Sequence, residues 1–154
     1  MKNSLILLFT SLFIISCGSN DADESASDID TANAAIRYAW EATLNDTSGK
    51  LELKKTEATP LNSLSPASVV DFINTKDSAV QLDIIKISSD TVYLKIPDAR
   101  HLTQQMGSTG PELYLAAVVY NLTEIPGIRF VNFDFEQGDH AQPGTFSRES
   151  FIAQ

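Results

Sequence analysis

The sequence predicts an α+β fold: a small, mainly antiparallel sheet with two main helices on one face. Two patterns predict it. Short stretches of apolar–polar alternation come in pairs split by turn residues, as in β-hairpins. Two longer stretches place apolar residues three and four apart behind Ser-Pro and Gly-Pro starts, as in amphipathic helices. The resulting order is two strands, helix, two strands, helix, strand.

The first strand is expected from Ile36 to Leu44. Ile36, Tyr38, Trp40, Ala42 and Leu44 alternate with Arg37, Ala39, Glu41 and Thr43. The Ala-rich stretch 32–42 admits a short helix as the alternative. Asn45-Asp46-Thr47-Ser48-Gly49 supplies turn chemistry. Lys50 to Thr56 alternates again, with Leu51 and Leu53 on one face, which completes a hairpin. Ser65-Pro66 then opens a helix, Ser as cap and Pro in the first turn. Leu64 and Val69 suit a hydrophobic staple, and Val69, Phe72 and Ile73 form the apolar stripe.

Val80 to Ile87 reads as a strand, Ser88-Ser89-Asp90 as a turn, and Thr91 to Ile96 as a strand facing Val92, Leu94 and Ile96 inward. Pro97 ends it, and Asp98 caps a short helical turn holding Leu102 and Met106, stopped by Gly107. Thr109 and Glu112 have the spacing of a capping box. They open the main helix, to about Glu124, with Leu115, Val118, Val119 and Leu122 buried. Leu113, Ala116 and Ala117 widen its apolar surface, as for a helix lying on a sheet. Pro126-Gly127 terminates it. Ile128 to Phe135 follows as a strand with Val131, Phe133 and Phe135 on one side, then a Gly138-Asp139 turn. The tail from Ala141 reads as irregular, anchored by Phe146 and Phe151.

The N-terminus carries an address. Lys2 starts a short positive region, Leu5 to Ile15 is apolar, and Ser16-Cys17 follows. That is the layout of a secretory signal peptide. The run is shorter than the roughly 20 apolar residues needed to cross a bilayer. Cys17 at the cut point resembles the lipobox of bacterial lipoproteins. The resemblance implies that Cys17 becomes the lipid-bearing first residue of the mature chain. Residues 1–16 are then the signal peptide, 17–33 the lipidated cysteine and tether, 34–138 the folded domain and 139–154 the tail. Residues 18–30 are small and acidic, with little to bury. Asp21, Asp23 and Glu24 loosely resemble a surface-export signal, and a charged linker with no address accounts for them equally well.

Composition narrows the partners. Cleavage leaves 154 − 16 = 138 residues, enough for one small core. The net charge of −9 becomes −10 once Lys2 is removed. An acidic chain argues against nucleic acid as a partner, because phosphate binding needs clustered Lys and Arg. Membrane attachment falls to the acyl chains on Cys17, each buried CH₂ contributing about 0.8 kcal/mol. Cys17 is the only cysteine, so the core holds without disulfides and no cysteine-rich metal site exists.

The second half resembles a known family. Asp90-Thr91-Val92-Tyr93-Leu94-Lys95-Ile96 is a strand, Gly107-Ser108-Thr109-Gly110 precedes a helix, and that helix ends Leu122-Thr123-Glu124. Pro126-Gly127-Ile128 and a last strand follow. This resembles the GerMN domain, named from a spore germination and sporulation protein, over residues 80–138, or 36–138 with the hairpin. Asn132-Phe133-Asp134-Phe135-Glu136 departs from the basic or polar, Gly-ended hairpin frequent in the family. The resemblance implies a non-enzymatic, extracytoplasmic and often lipid-anchored module tied to peptidoglycan or envelope assemblies.

Few residues carry the pattern of a reaction. Asp134 and Glu136 share a strand face, with Asn132 beside them and Asp139 and His140 at the next turn. Such a set could ligate Ca²⁺ or Zn²⁺, but it has neither EF-hand nor HExxH spacing. A solvated strand face explains it with less. His101 and His140 are the only histidines. Ser108 lacks the strand-to-helix elbow of a nucleophilic serine. Gly107 and Gly110 form no phosphate-binding fingerprint, and no cofactor is implied. Glu112 and Glu124 lie twelve residues apart on one helix, roughly 18 Å, too far for a glycosidase pair. Tyr38, Trp40, Tyr93 and Tyr114 could line a glycan or peptide groove, though ordinary half-buried positions account for them too. Tyr38, Trp40 and Tyr93 are the candidate ligand-binding residues. Asn45 and Asn121 sit in glycosylation sequons that carry little weight in such a chain.

The expected function is a non-catalytic, lipid-anchored envelope module that binds peptidoglycan or an envelope protein. One competing class is a metal-dependent envelope hydrolase built on Asp134, Glu136 and His140. Another is a structural lipoprotein whose hairpin edges pair with copies or neighbours by strand addition.

Overall fold

The structure, a computed structural model, describes residues 40–56 and 64–152. Ile36, Tyr38, Cys17 and the tether lie outside the described residues. The chain is α+β, with a two-stranded antiparallel sheet and a separate four-stranded mixed sheet. The hairpin pairs β1 (Trp40–Leu44) with β2 (Leu51–Lys55), Trp40 opposite Lys55 and Leu44 opposite Leu51. Asn45 makes the turn work. Its side-chain oxygen accepts from the Thr47 and Ser48 amides, and Gly49 takes φ +65°, which costs glycine little.

α1 (Pro66–Lys76) starts as its sequence directs. Ser65 is extended and accepts from the Ser68 amide, while the Ser68 hydroxyl accepts from the Ser65 amide. Its stripe buries Val69, Val70 and Ile73. β3 (Asp83–Ser88) and β4 (Thr91–Lys95) form an antiparallel hairpin, turned through Ser89 at φ 56° and bulged between Ile84 and Lys86. The strand expected from Val80 therefore begins three residues later. Val80 and Leu82 are buried ahead of it, and the Asn74 side chain bonds both the N–H and the C=O of Leu82.

The short turn after Pro97 is a π-helix, His101–Gln105, closed by the Met106 amide on the His101 carbonyl. α2 (Gly110–Leu122) follows. The capping box expected from Thr109 and Glu112 does not form. Thr109 has helical backbone angles (φ −106°, ψ −23°) in place of the extended ones a capping side chain needs, and Pro111 removes one of the orphan amides. Gly110 is there for space: a Cβ would stand 2.6 Å from Met106 Cβ. α2 buries Tyr114, Leu115, Ala116, Val118, Val119, Tyr120, Asn121 and Leu122, more than one stripe can hold. It is the central element, in contact with β1, α1, β5 and the C-terminal turn.

β5 (Phe130–Asp134) pairs with β4 in parallel, Val92 beside Val131 and Leu94 beside Phe133. The π turn and α2 supply the long crossover that a parallel pair requires. These four side chains are among the most deeply buried in the described chain. The tail expected to be irregular is ordered through residue 152. β6 (Gly144–Phe146) pairs antiparallel with β5, and a 3₁₀ turn (Arg148–Phe151) follows behind a Ser147–Ser150 capping box. Phe146 packs on Phe133 and Phe151, both with ring centroids 5.8 Å away. Gly138 passes so close to the π turn that a Cβ there would lie 2.5 Å from Thr103 Cβ.

Candidate functional site

β1 lies against α2, and the cleft that both line is the candidate site. Asn121, buried at 3% exposure, bonds both main-chain groups of Trp40. Its Oδ1 accepts from the Trp40 amide at 3.1 Å, and its Nδ2 donates to the Trp40 carbonyl at 2.9 Å. Beyond that joint a cleft of about 420 Å³ opens. Trp40, Glu41, Ala42 and Thr43 form one wall. Gly110, Leu113, Tyr114, Ala117 and Val118 of α2 form the other, and Ile73, Lys76, Asp77 and Met106 close its base. The lining is apolar with charges confined to Glu41, Lys76 and Asp77, and it holds no His, Cys or Ser. Open apolar clefts with few polar groups are typical binding sites.

The wall carrying Trp40 is fixed by a polar latch. The indole N–H donates to Glu124 Oε2 at 2.9 Å, and Arg148 donates to the same oxygen at 2.7 Å. Lys55 Nζ donates to Glu124 Oε1 at 2.5 Å. The Arg148 guanidinium lies 5.2 Å from the Trp40 ring and 5.0 Å from the Tyr120 ring. It also donates to Thr123 Oγ1 and the Tyr120 carbonyl. Burial pushes the Glu124 carboxyl up, but hydrogen bonds from Lys55, Trp40 and Arg148 outweigh it and hold the group down at about 2. Two other carboxyls are held low. Asp98 sits at about 2 under the hydrogen bonds of Arg100, and Glu149 is lowered by the Ser147 hydroxyl. None of the three lines the cleft.

The structure separates the candidate aromatics. Trp40 is on the cleft. Tyr93 alternates with buried Val92 and Leu94, so it projects from the opposite face of the four-stranded sheet, under Lys86 Nζ at 4.5 Å. The two therefore do not share a groove. Tyr38 and the lipidation candidate Cys17 lie outside the described residues. Tyr114 faces the cleft side of α2, its hydroxyl donating to the Val80 carbonyl.

Asp134, Glu136, Asp139 and His140 are all exposed. Among the described residues no three His, Cys, Asp or Glu side chains come together to hold a metal. The Asp134–His140 metal cluster is thus not assembled: β5 ends at Asp134, and Gly138–Ala141 turns away to dock on the π turn through the His140 amide and the Thr103 carbonyl. The His101 ring meets the Gln105 side chain at 3.1 Å. Among the described residues no helix is long and apolar enough to cross a membrane.

Sequence reasoning missed Asn121, Glu124 and Arg148 as a joint. The available signal was Asn121, an amide at a position surrounded by apolar helix residues. Comparison of the chain with protein families, curated proteins and solved structures returned no match.

Proposed function

We propose that this chain is a non-catalytic, lipid-anchored binding module of the cell envelope, with a GerMN-like domain and a partner in peptidoglycan or in an envelope protein. The observation that carries the reading is the cleft. It offers apolar contact, a strand wall and a fastened Trp40, and the carboxyls with lowered pKa lie elsewhere. The lipobox-like Cys17 supports the location, with 39 − 17 = 22 residues between it and β1. At about 3.3–3.6 Å per extended residue, that length reaches at most about 80 Å from a membrane.

Fatty-acid labelling and membrane fractionation test the anchor. The expected result is label on the chain and none on Cys17→Ser. An unlabelled chain recovered in the soluble fraction overturns the anchored reading. Sedimentation of the full chain with purified sacculi tests the partner. Co-sedimentation competed by soluble glycan fragments supports the cell wall. Without it, cross-linking in whole envelopes must yield a defined protein adduct. Failure of both removes the binding reading.

A further inference from the structure

Resting on the reading of the cleft as a binding site, we propose that its ligand is an extended, basic polypeptide segment that adds its main chain to the free edge of β1. The main-chain parity of β1 carries this. The Asn45 amide donates to the Lys50 carbonyl across the hairpin, so Thr43 and Glu41, two and four residues back, also face β2. Trp40, Ala42 and Leu44 then turn their N–H and C=O groups the other way. Trp40 fits that parity, because both of its groups meet Asn121 on the far side from β2. Ala42 is next on the same edge, inside the cleft, followed by Leu44. Among the described residues neither has a main-chain partner on that side.

An unpaired edge beside an apolar wall recognises one kind of molecule well. Another strand satisfies the edge, and its alternate side chains enter the groove. Asn121 acts as the last rung of that ladder and marks where the added strand must stop. Leu113, Ala117 and Val118 offer those side chains an apolar wall along α2. Charge sets the rest. Of the three charged residues on the cleft, Lys76 is basic, while Glu41 and Asp77 are acidic and have no ion pair among the described residues, and the chain carries −9. A Lys or Arg on the incoming segment complements them.

One edge of the four-stranded sheet argues by contrast. β3 borders the four-stranded sheet and exposes Ile85 and Ile87. It also carries a bulge and Lys86, devices that discourage strand addition. β1 has no bulge in its register and no Lys or Pro.

The test is selection from a displayed random octapeptide library with the full chain, purified in detergent, as bait. Enriched peptides are expected to alternate apolar residues and to contain Lys or Arg. A synthetic representative should slow exchange of the Ala42 amide at least tenfold while leaving the Thr43 amide unchanged. N-methylation at alternate residues, which removes main-chain donors, should weaken binding at least tenfold. Ala42→Pro deletes an outward amide without touching the β2 ladder and should do the same. Glu41→Lys should weaken binding several-fold. An unenriched library overturns the proposal, as does a peptide that binds equally well when N-methylated and leaves Ala42 unprotected. Concentration-dependent self-association that protects the same amide would assign the edge to a second copy instead. Either failure leaves the label on Cys17 and the sacculus or cross-linking results intact, so it is distinguishable from failure of the envelope reading.

Discussion

The four-stranded sheet and the hairpin lie on the same helix, α2, and are attached to the fold by different physics. The sheet presents Val92, Leu94, Val131 and Phe133 to the helices, and each is 1% exposed or less. The hairpin buries nothing completely. Trp40, Ala42, Leu51 and Leu53 are only partly covered, and its attachment runs through Asn121, Glu124 and Arg148. Apolar burial involves no titrating group, whereas a carboxylate with three donors depends on its charge and so on pH. One half of the molecule is therefore a fixed body, and the other is a wall whose position depends on a charge.

The largest effect that separates the halves is expected from Phe133→Ala. It opens a cavity beneath Phe146 and should destabilise the whole domain by about 3–5 kcal/mol in denaturant unfolding. Glu124→Ala should cost about 2–4 kcal/mol, because it leaves the Trp40 indole, Lys55 and Arg148 without their acceptor. Its signature is regional: amide exchange should quicken in β1 and β2 while β4 and β5 stay protected.

Acid sharpens the same contrast. The folded Glu124 carboxyl sits at about 2, below its ordinary 4.5, so it contributes stability that is complete above 4.5 and lost as pH falls toward 2. The difference corresponds to about 3 kcal/mol as an upper bound. Unfolding of the chain and of Glu124→Gln, measured from pH 6 to 2, should converge at the acid end. The smallest effect is expected from Ser65→Ala, about 1 kcal/mol from the α1 cap, with no change in the cleft wall.

Local sequence signals were reliable where local physics decides. Ser65-Pro66, the Asn45–Gly49 turn and the Leu115, Val118, Val119, Leu122 stripe all stand in the structure as their patterns imply. The division into two sheets and the parallel β4–β5 pair were not legible, because alternation gives a strand its faces but no direction and no neighbour. The order in residues 139–152 was hidden for a similar reason. β6 is three residues long, too short for periodicity, and exists because β5 offers it an edge. Of the candidate site, Trp40 was legible as an aromatic on a strand. Its separation from Tyr93 depends on which sheet each strand joins. Asn121, Glu124 and Arg148 meet Trp40 across more than 80 residues of sequence, and no short-range pattern announces such a joint.

Trp40 is also where tension would arrive. In a chain tethered through Cys17, drag on the domain is transmitted along the residues that precede β1. Trp40 is bonded there through its amide, its carbonyl and its indole; the first two bonds end on Asn121 of α2 and the third on Glu124, two residues past the helix. A pull would load the central helix before it could peel the hairpin from its turn. The open edge of β1, beginning two residues further on at Ala42, would keep its shape under strain.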